Sequence, residues 1–203
     1  MRQPRPDKRK YSSFKIKDAM ALIAVKEFTP WTINALLLAP SAVLLENLRR
    51  LESFDLRTTE QAKTLLIDDL FGEIVPNYPL LKVWKAAALS TDTLTGIADY
   101  LITPRRAYIE MPLLCTVEAK RDDFEQGAAQ CITEMVACRW NNQQVNIAID
   151  VFGIVSNGQG WQFYQLTLQD EIWETELYTI GDLPRLLGVL NFICAECAKN
   201  VPV

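Results

Sequence analysis

The 203-residue sequence contains no histidine. Triads of serine or cysteine with histidine are therefore excluded, and so are imidazole metal ligands and imidazole acid–base catalysis. Any catalytic chemistry must use carboxylates, lysine, thiols, hydroxyls or a bound metal ion.

Cysteine occurs in an odd number. The five cysteines lie in apolar segments with no signal peptide, which predicts a reducing, cytoplasmic location. Cys194 and Cys197 form a CxxC pair, but a zinc site would need two further ligands that neither histidine nor a second CxxC supplies. We interpret all five as buried apolar side chains: Cys115, Cys131, Cys138, Cys194 and Cys197.

Long hydrophobic runs are also missing. The longest, residues 31–45, is too short to span a bilayer and is interrupted by Asn34, Pro40 and Ser41. No secretory hydrophobic region follows the basic N-terminus. The sequence therefore predicts no association with a membrane.

The charge is unevenly distributed. Residues 1–17 hold seven lysines and arginines and one acid, whereas the rest of the chain holds 14 basic and 24 acidic residues. A basic arm on an acidic body can contact nucleic-acid phosphates, although a solvated terminus has the same composition. The candidate phosphate contacts are Arg2, Arg5, Lys8, Arg9 and Lys10.

Hydrophobic periodicity predicts one α/β domain after an N-terminal extension. The predicted helices are residues 15–27, 31–38, 42–53, 58–74, 126–140 and 183–199, the last beginning at an Asp182 cap. The predicted strands are residues 80–89, 96–102, 113–120, 147–155, 161–168 and 172–178. This order favours a mixed sheet flanked by helices, with residues 1–57 as basic arm and helical extension and 58–203 as the main domain.

Two of these strands carry charged residues in unusual positions. Glu118 and Lys120 lie two residues apart and therefore share a strand face. Asp99 lies among apolar neighbours, which is costly for a carboxylate unless it is paired or bound to a metal. If the strands are neighbours, the three side chains converge, and two carboxylates with water are suitable ligands for Mg²⁺. A simple surface ion pair of Glu118 with Lys120 is the alternative interpretation.

The following helix adds a polar stripe. Gln126, Gln130 and Glu134 are spaced four residues apart and therefore lie on one helix face. The stripe begins six residues after Lys120, so we expect it to lie over the same edge of the sheet. A polar face that is merely solvated is the alternative.

This pattern resembles the PD-(D/E)xK nuclease superfamily, whose members have the restriction-endonuclease-like fold. Asp99 in GIADYLI matches the first acidic position, and Glu118-Ala119-Lys120 matches the ExK element. Ala98 stands where the motif name has proline. An ExK triplet alone has little specificity, but the ordered set of acidic, ExK and glutamine elements is much more specific.

The resemblance extends to other segments. Gln126 and Gln130 give a QxxxQ form of the QxxxY pattern of some members, with glutamine in place of tyrosine. TTEQAKTLLIDDLF resembles the leading helix of type I restriction nuclease domains, with Glu60 at the acidic position, and FGIVSNGQGWQFYQL resembles a later strand pair. The match covers roughly residues 58–168, whereas residues 1–57 match no known pattern.

The resemblance implies Mg²⁺- or Mn²⁺-dependent hydrolysis of phosphodiester bonds. In that interpretation Asp99, Glu118 and the backbone carbonyl of Ala119 hold the metal ion. Lys120 orients or deprotonates the attacking water and offsets negative charge in the transition state.

The resemblance also assigns roles to the helical residues. Gln126 and Gln130 position phosphate or water, and Glu60 joins the site through a water or a second metal ion. DNA is the substrate that the resemblance implies, and a homodimer would supply two centres for a duplex. The alternative is a catalytically inactive scaffold or binding subunit with the same fold, which the acidic body favours.

Overall fold

The computed structural model describes residues 7–56, 59–120 and 123–202, and it has the predicted α/β architecture: a mixed nine-stranded sheet flanked by helices. The strands are β1 (Arg9–Lys10), β2 (Thr29–Trp31), β3 (Leu81–Ser90), β4 (Leu94–Pro104), β5 (Cys115–Ala119), β6 (Val151–Ser156), β7 (Gly160–Leu166), β8 (Ile172–Thr175) and β9 (Tyr178–Thr179). The helices are α1 (Ile16–Ala21), α2 (Ala42–Leu51), α3 (Glu60–Ile74), α4 (Phe124–Gln144) and α5 (Leu183–Lys199).

The central strands follow the order β4, β5, β6, β7, β8 and β2 across the sheet, with β1 and β3 both paired to β4 and β9 paired to β7. Strands β3, β4 and β5 form an antiparallel series. Strands β5 and β6 are parallel, so the chain must cross over the sheet between them, and α4 is that crossover. Parallel strands β2 and β8 form the far edge.

Two hydrophobic cores lie on opposite faces of the sheet. Helices α1 and α4 cover one face, where Leu101, Ile132 and Met135 are buried. Helices α3 and α5 cover the other, where Tyr100, Val117 and residues of both helices are buried. Successive residues of β4 and β5 therefore point into different cores.

Local sequence signals account for where several elements begin. Thr59 caps α3 by accepting a hydrogen bond from the Ala62 N–H over 3.1 Å, and Asp123 caps α4 in the same way over 2.9 Å to the Gln126 N–H. Asp182 precedes α5 as predicted, but its side chain makes no capping hydrogen bond. The predicted strands 147–155 and 161–168 correspond to β6 and β7, which pair antiparallel as a hairpin.

The cysteines are buried as predicted. All five are free thiols with no appreciable exposure, distributed over both cores. Burial raises the pKa of Cys115 and Cys194, which keeps both thiols protonated. Their role in the fold is therefore that of small apolar side chains.

The N-terminal part differs from its prediction. The helix predicted for residues 31–38 is wrong: Trp31 belongs to β2, and the residues that follow have no regular structure. They pack instead against α5, where the Leu38 N–H donates to the Pro184 carbonyl over 3.0 Å. Gly188 permits this approach, because an added Cβ would lie 2.2 Å from the Leu36 oxygen. The helix predicted for residues 15–27 is shorter, ending at Ala21.

The segment predicted to be a basic arm also enters the fold in its described part. β1 pairs with β4, and Tyr11 is buried to 1% exposure with its hydroxyl donating to the Leu89 carbonyl over 2.8 Å. The sheet thus contains strands from both sides of the domain boundary predicted after residue 57. Residue 57 itself lies outside the described residues. None of the helices in the described ranges is both long enough and apolar enough to cross a bilayer.

Candidate active site

Asp99 and Glu118 face each other across two antiparallel strands. The register that pairs Tyr100 with Val117 and Leu101 with Thr116 also brings Asp99 opposite Glu118. The Asp99 carboxylate is anchored to the neighbouring strand, because its Oδ2 accepts a hydrogen bond from the Ala119 N–H over 2.8 Å. Residues directly opposite each other share a sheet face, so both carboxylates point toward α4.

Glu118 is the centre of a polar cluster. Its side chain is only 2% exposed, and its two oxygens have different partners. Oε1 lies 2.6 Å from the Lys120 Nζ, and Oε2 accepts from the Gln130 Nε2 over 2.8 Å. The Lys120 ammonium also donates to the Gln130 Oε1 over 3.1 Å, which closes a ring of three side chains. The structure thus places Lys120 against Glu118, with Asp99 opposite Glu118 on the neighbouring strand.

A second buried carboxylate extends the cluster. Glu134 is fully buried. Its carboxylate accepts hydrogen bonds from the Thr116 hydroxyl over 2.6 Å and from the Gln130 Nε2 over 3.2 Å. The sequence predicted that Glu134 lies on the same helix face as Gln130, but Glu134 was not among the predicted site residues. Strand alternation places Thr116 on the same face as Glu118, and this is the signal that could have joined Glu134 to the site.

The titration of this cluster follows from its burial. Burial, then the charges of Glu134 and Asp99, raise the pKa of Glu118, although Lys120 opposes the effect. Burial also raises the pKa of Glu134 to about 7, against hydrogen bonds from Thr116 and Gln130 that lower it. Because the two glutamates are coupled, they titrate as a pair, and burial favours the protonated form of that pair.

Gly127 in α4 makes room for the lysine. A Cβ at this position would lie 3.0 Å from the Lys120 Cγ and 2.6 Å from the Val155 Cγ1. The absence of a side chain lets the stem of Lys120 pass between the helix and the sheet, with its ammonium at the edge of the cluster. The lysine side chain is 15% exposed, so this end of the cluster reaches the surface.

The other sequence-predicted residues lie apart from the carboxylates or outside the described residues. The Gln126 amide donates to the Ser12 and Phe14 carbonyls, both over 3.2 Å, and so holds the N-terminal segment instead of contacting Glu118. Glu60 is the first residue of α3, but its side chain is outside the described part of the chain. Burial, then the charges of Cys138 and Glu134, raise the pKa of Tyr11, an influence of the cluster on the N-terminal segment that the sequence did not predict.

The proposed nucleic-acid contacts are only partly described. Lys8 donates to the Thr91 carbonyl, and Arg9 forms a 2.6 Å ion pair with Asp18 and lies 3.6 Å above the Phe14 ring. Lys10 is exposed on β1. Arg2 and Arg5 lie outside the described residues.

The carboxylate oxygens of the cluster are the type of ligand that a hard divalent cation prefers. Two carboxylates, Asp99 and Glu118, face each other, and the cluster carries more carboxyl groups than the single Lys120 ammonium balances. Across residues 7–56, 59–120 and 123–202, no three acidic or cysteine side chains form a ready set of metal ligands. Water, backbone and substrate oxygens would complete the coordination, which is common for Mg²⁺.

Comparison with known proteins adds no assignment to this geometry. Neither models of known protein families nor curated protein sequences match the chain. The chemical interpretation of the cluster therefore depends on its own contacts.

Proposed function

We propose that this protein hydrolyses phosphodiester bonds in nucleic acid, with DNA as substrate and Mg²⁺ or Mn²⁺ as cofactor. The observation that carries the proposal is the pairing of Asp99 with Glu118 across β4 and β5, with Lys120 held against Glu118. Two carboxylates and a lysine at one strand end can bind a divalent cation and a phosphate side by side.

Each residue has a role that its contacts support. Asp99, Glu118 and the backbone carbonyl of Ala119 would hold the cation. A divalent cation held there would polarise the scissile phosphate and offset the negative charge that develops on it. The Lys120 ammonium donates hydrogen bonds to the phosphate or orients the attacking water. Gln130 bridges Glu118 and Lys120 and so positions both.

The order of elements supports the resemblance to the PD-(D/E)xK superfamily and its restriction-endonuclease-like core. Helix α3 precedes the antiparallel series β3, β4 and β5, and α4 then leads to the parallel strand β6. The acidic and ExK elements lie on the second and third of these strands, and Gln130 follows on the helix. This is the alternation that the sequence resemblance implies.

One observation favours the second candidate, a catalytically inactive scaffold or binding subunit. Glu118 and Glu134 are buried, and their oxygens accept hydrogen bonds from within the protein. Such a network can simply stabilise the packing of α4 on the sheet. The acidic body is also unlike the basic groove expected of a free nuclease.

The experiment is cleavage of supercoiled plasmid by purified protein with Mg²⁺ or Mn²⁺, with and without EDTA. We expect metal-dependent nicking that Asp99→Asn and Lys120→Met each abolish. Asp92→Asn, at an exposed acid in the turn between β3 and β4, is the matched control and should cleave normally. Absence of cleavage by the wild-type protein, or equal cleavage by all variants, would favour the scaffold.

A further inference from the structure

A cavity lies on the opposite face of the sheet from Glu118. It has a volume of about 380 Å³ and lies between the C-terminal half of α5 and the strands β2, β6, β7 and β8. Phe152 lines it and belongs to the core under α3 and α5, whereas the Glu118 cluster points toward α4. Phe152 lies near the start of β6, and Glu118 pairs with Val155 near its end. The two sites are therefore separate.

Four aromatic side chains form much of the wall of this cavity, and Trp31 lies at their centre. The Trp31 ring centroid is 6.2 Å from that of Phe152, with the rings nearly parallel at 20°. It is 6.3 Å from the centroids of Trp173 and Phe192, each at 64°. The rings are thus packed on Trp31 at different angles and give the cavity wall aromatic surface in more than one orientation.

Neighbouring elements hold these rings in place. Phe152 pairs with Gln165, which pairs with Trp173, so a single row across β6, β7 and β8 forms one wall. Trp31 continues that surface on β2. Phe192 projects from α5 four residues before Glu196, so the ring and the carboxylate lie on the same helix face.

The charged groups that line the cavity are acidic. Asp150 and Glu196 line it, and among the described lining residues there is no lysine or arginine. Asp150 is fixed in place, because its oxygens accept from the Gln165 Nε2 over 2.7 Å and from the Leu168 N–H over 2.8 Å. Glu196 forms an ion pair with Lys199, whose side chain is 67% exposed and outside the cavity, so solvent weakens that pair.

We propose that this cavity binds a small organic cation of the alkylated ammonium class. Aromatic faces attract a cation through their quadrupole, and tryptophan does so most strongly. Two carboxylates add a favourable potential at close range. A methylated ammonium suits such walls better than a strongly hydrated primary ammonium, because its methyl groups gain from contact with apolar surface. A nucleotide phosphate would be repelled by Asp150 and Glu196.

The test is a calorimetric titration of the whole protein with choline and with 3,3-dimethyl-1-butanol, an uncharged analogue of the same shape. We expect choline to bind at millimolar concentration or below, at least tenfold more tightly than the neutral alcohol. Equal binding of the two compounds would overturn the proposal, because it would show a purely apolar pocket. Tighter binding of adenosine than of choline would also overturn it and indicate a base-stacking site.

Substitutions of residues that line the cavity test whether choline binds there. Glu196→Gln preserves shape and should weaken choline binding severalfold, whereas Glu125→Gln, at an exposed acid of α4, should not. Trp31→Leu should weaken it by roughly tenfold, the loss expected from one cation–π contact. Because Trp31→Leu can also disturb β2, Glu196→Gln decides the outcome. If it leaves choline affinity unchanged, the assigned site is wrong.

Discussion

The Asp99 carboxylate reaches across to the next strand and accepts a hydrogen bond from the Ala119 N–H, 2.8 Å from its Oδ2. Ala119 immediately follows Glu118, so this interaction ties the Asp99 side chain to the strand that carries Glu118. Neither residue depends on a loop for its position. This rigidity is the feature that a preformed cation site requires.

The anchoring role of Asp99 can be separated from its charge. Asp99→Asn retains a side-chain oxygen that can accept from the Ala119 N–H, whereas Asp99→Ala removes this acceptor. We expect Asp99→Ala to lower the free energy of unfolding by about 1.5–3 kcal/mol and Asp99→Asn by clearly less. Urea denaturation of both variants and the wild type measures the difference. Equal destabilisation by both variants would contradict the anchoring role.

The buried carboxyl pair predicts a pH dependence of stability. Burial raises the pKa of Glu134 to about 7, above the value of about 4.3 for an unfolded glutamate. The native state therefore binds more protons between these values, and its stability falls as pH rises. We expect a loss of up to about 1.4 kcal/mol per pH unit from this group between about pH 5 and 7.

Glu134→Gln tests that assignment. It should flatten the fall in unfolding free energy over this pH range, whereas the exposed control Glu125→Gln should leave the slope as in the wild type. Urea denaturation at several pH values provides the measurement. A slope that Glu134→Gln does not change would show that this carboxyl is not the buried acid that titrates.

The role of Gly127 can be compared with that of a second helical glycine. Gly127→Ala would bring a Cβ within 2.6 Å of Val155 and 3.0 Å of Lys120, so we expect a loss of about 1–3 kcal/mol in stability and reduced cleavage. Gly72 in α3 has nothing within 4 Å of an added Cβ, so Gly72→Ala should stabilise by about 0.5–1 kcal/mol. Thermal unfolding distinguishes them. Identical shifts in both variants would contradict the steric argument.

Two truncations separate the role of the N-terminal arginines in DNA binding from the role of β1 and Tyr11 in the fold. Deleting residues 1–6 removes Arg2 and Arg5, which should weaken DNA binding and reduce the salt slope by about 0.9 for each phosphate that is no longer neutralised. Deleting residues 1–14 also removes β1 and the buried Tyr11, so it should lower the thermal stability. Fluorescence anisotropy with labelled DNA at several salt concentrations measures the first effect. An unchanged slope would mean that these arginines do not bind phosphate.

The central elements and the carboxylates could be predicted from sequence because their signals are local. Helical periodicity predicts α3 and most of α4, and strand alternation alone places Glu118 and Lys120 on one face. The antiparallel pairing of consecutive strands then brings Asp99 into register with Glu118.

The interactions that the sequence missed are between distant parts of the chain. Gln126 has helical spacing with Gln130, but its partners are Ser12 and Phe14, more than 100 residues earlier. The apolar residues after Trp31 have the composition of a helix, yet β2 pairs with β8 and the Leu38 N–H donates to the Pro184 carbonyl of α5. Periodicity carries no information about such partners.

The proposed cation site is tested most directly by calorimetric titration of Mn²⁺ into the wild-type protein, Asp99→Asn, Glu118→Gln and the exposed control Asp92→Asn. We expect a saturable Mn²⁺ site in the wild type and in Asp92→Asn, with affinity reduced about tenfold or more in the other two variants because each loses a carboxylate ligand. Absence of Mn²⁺ binding to the wild type, or equal affinity in all four proteins, would contradict the proposed site.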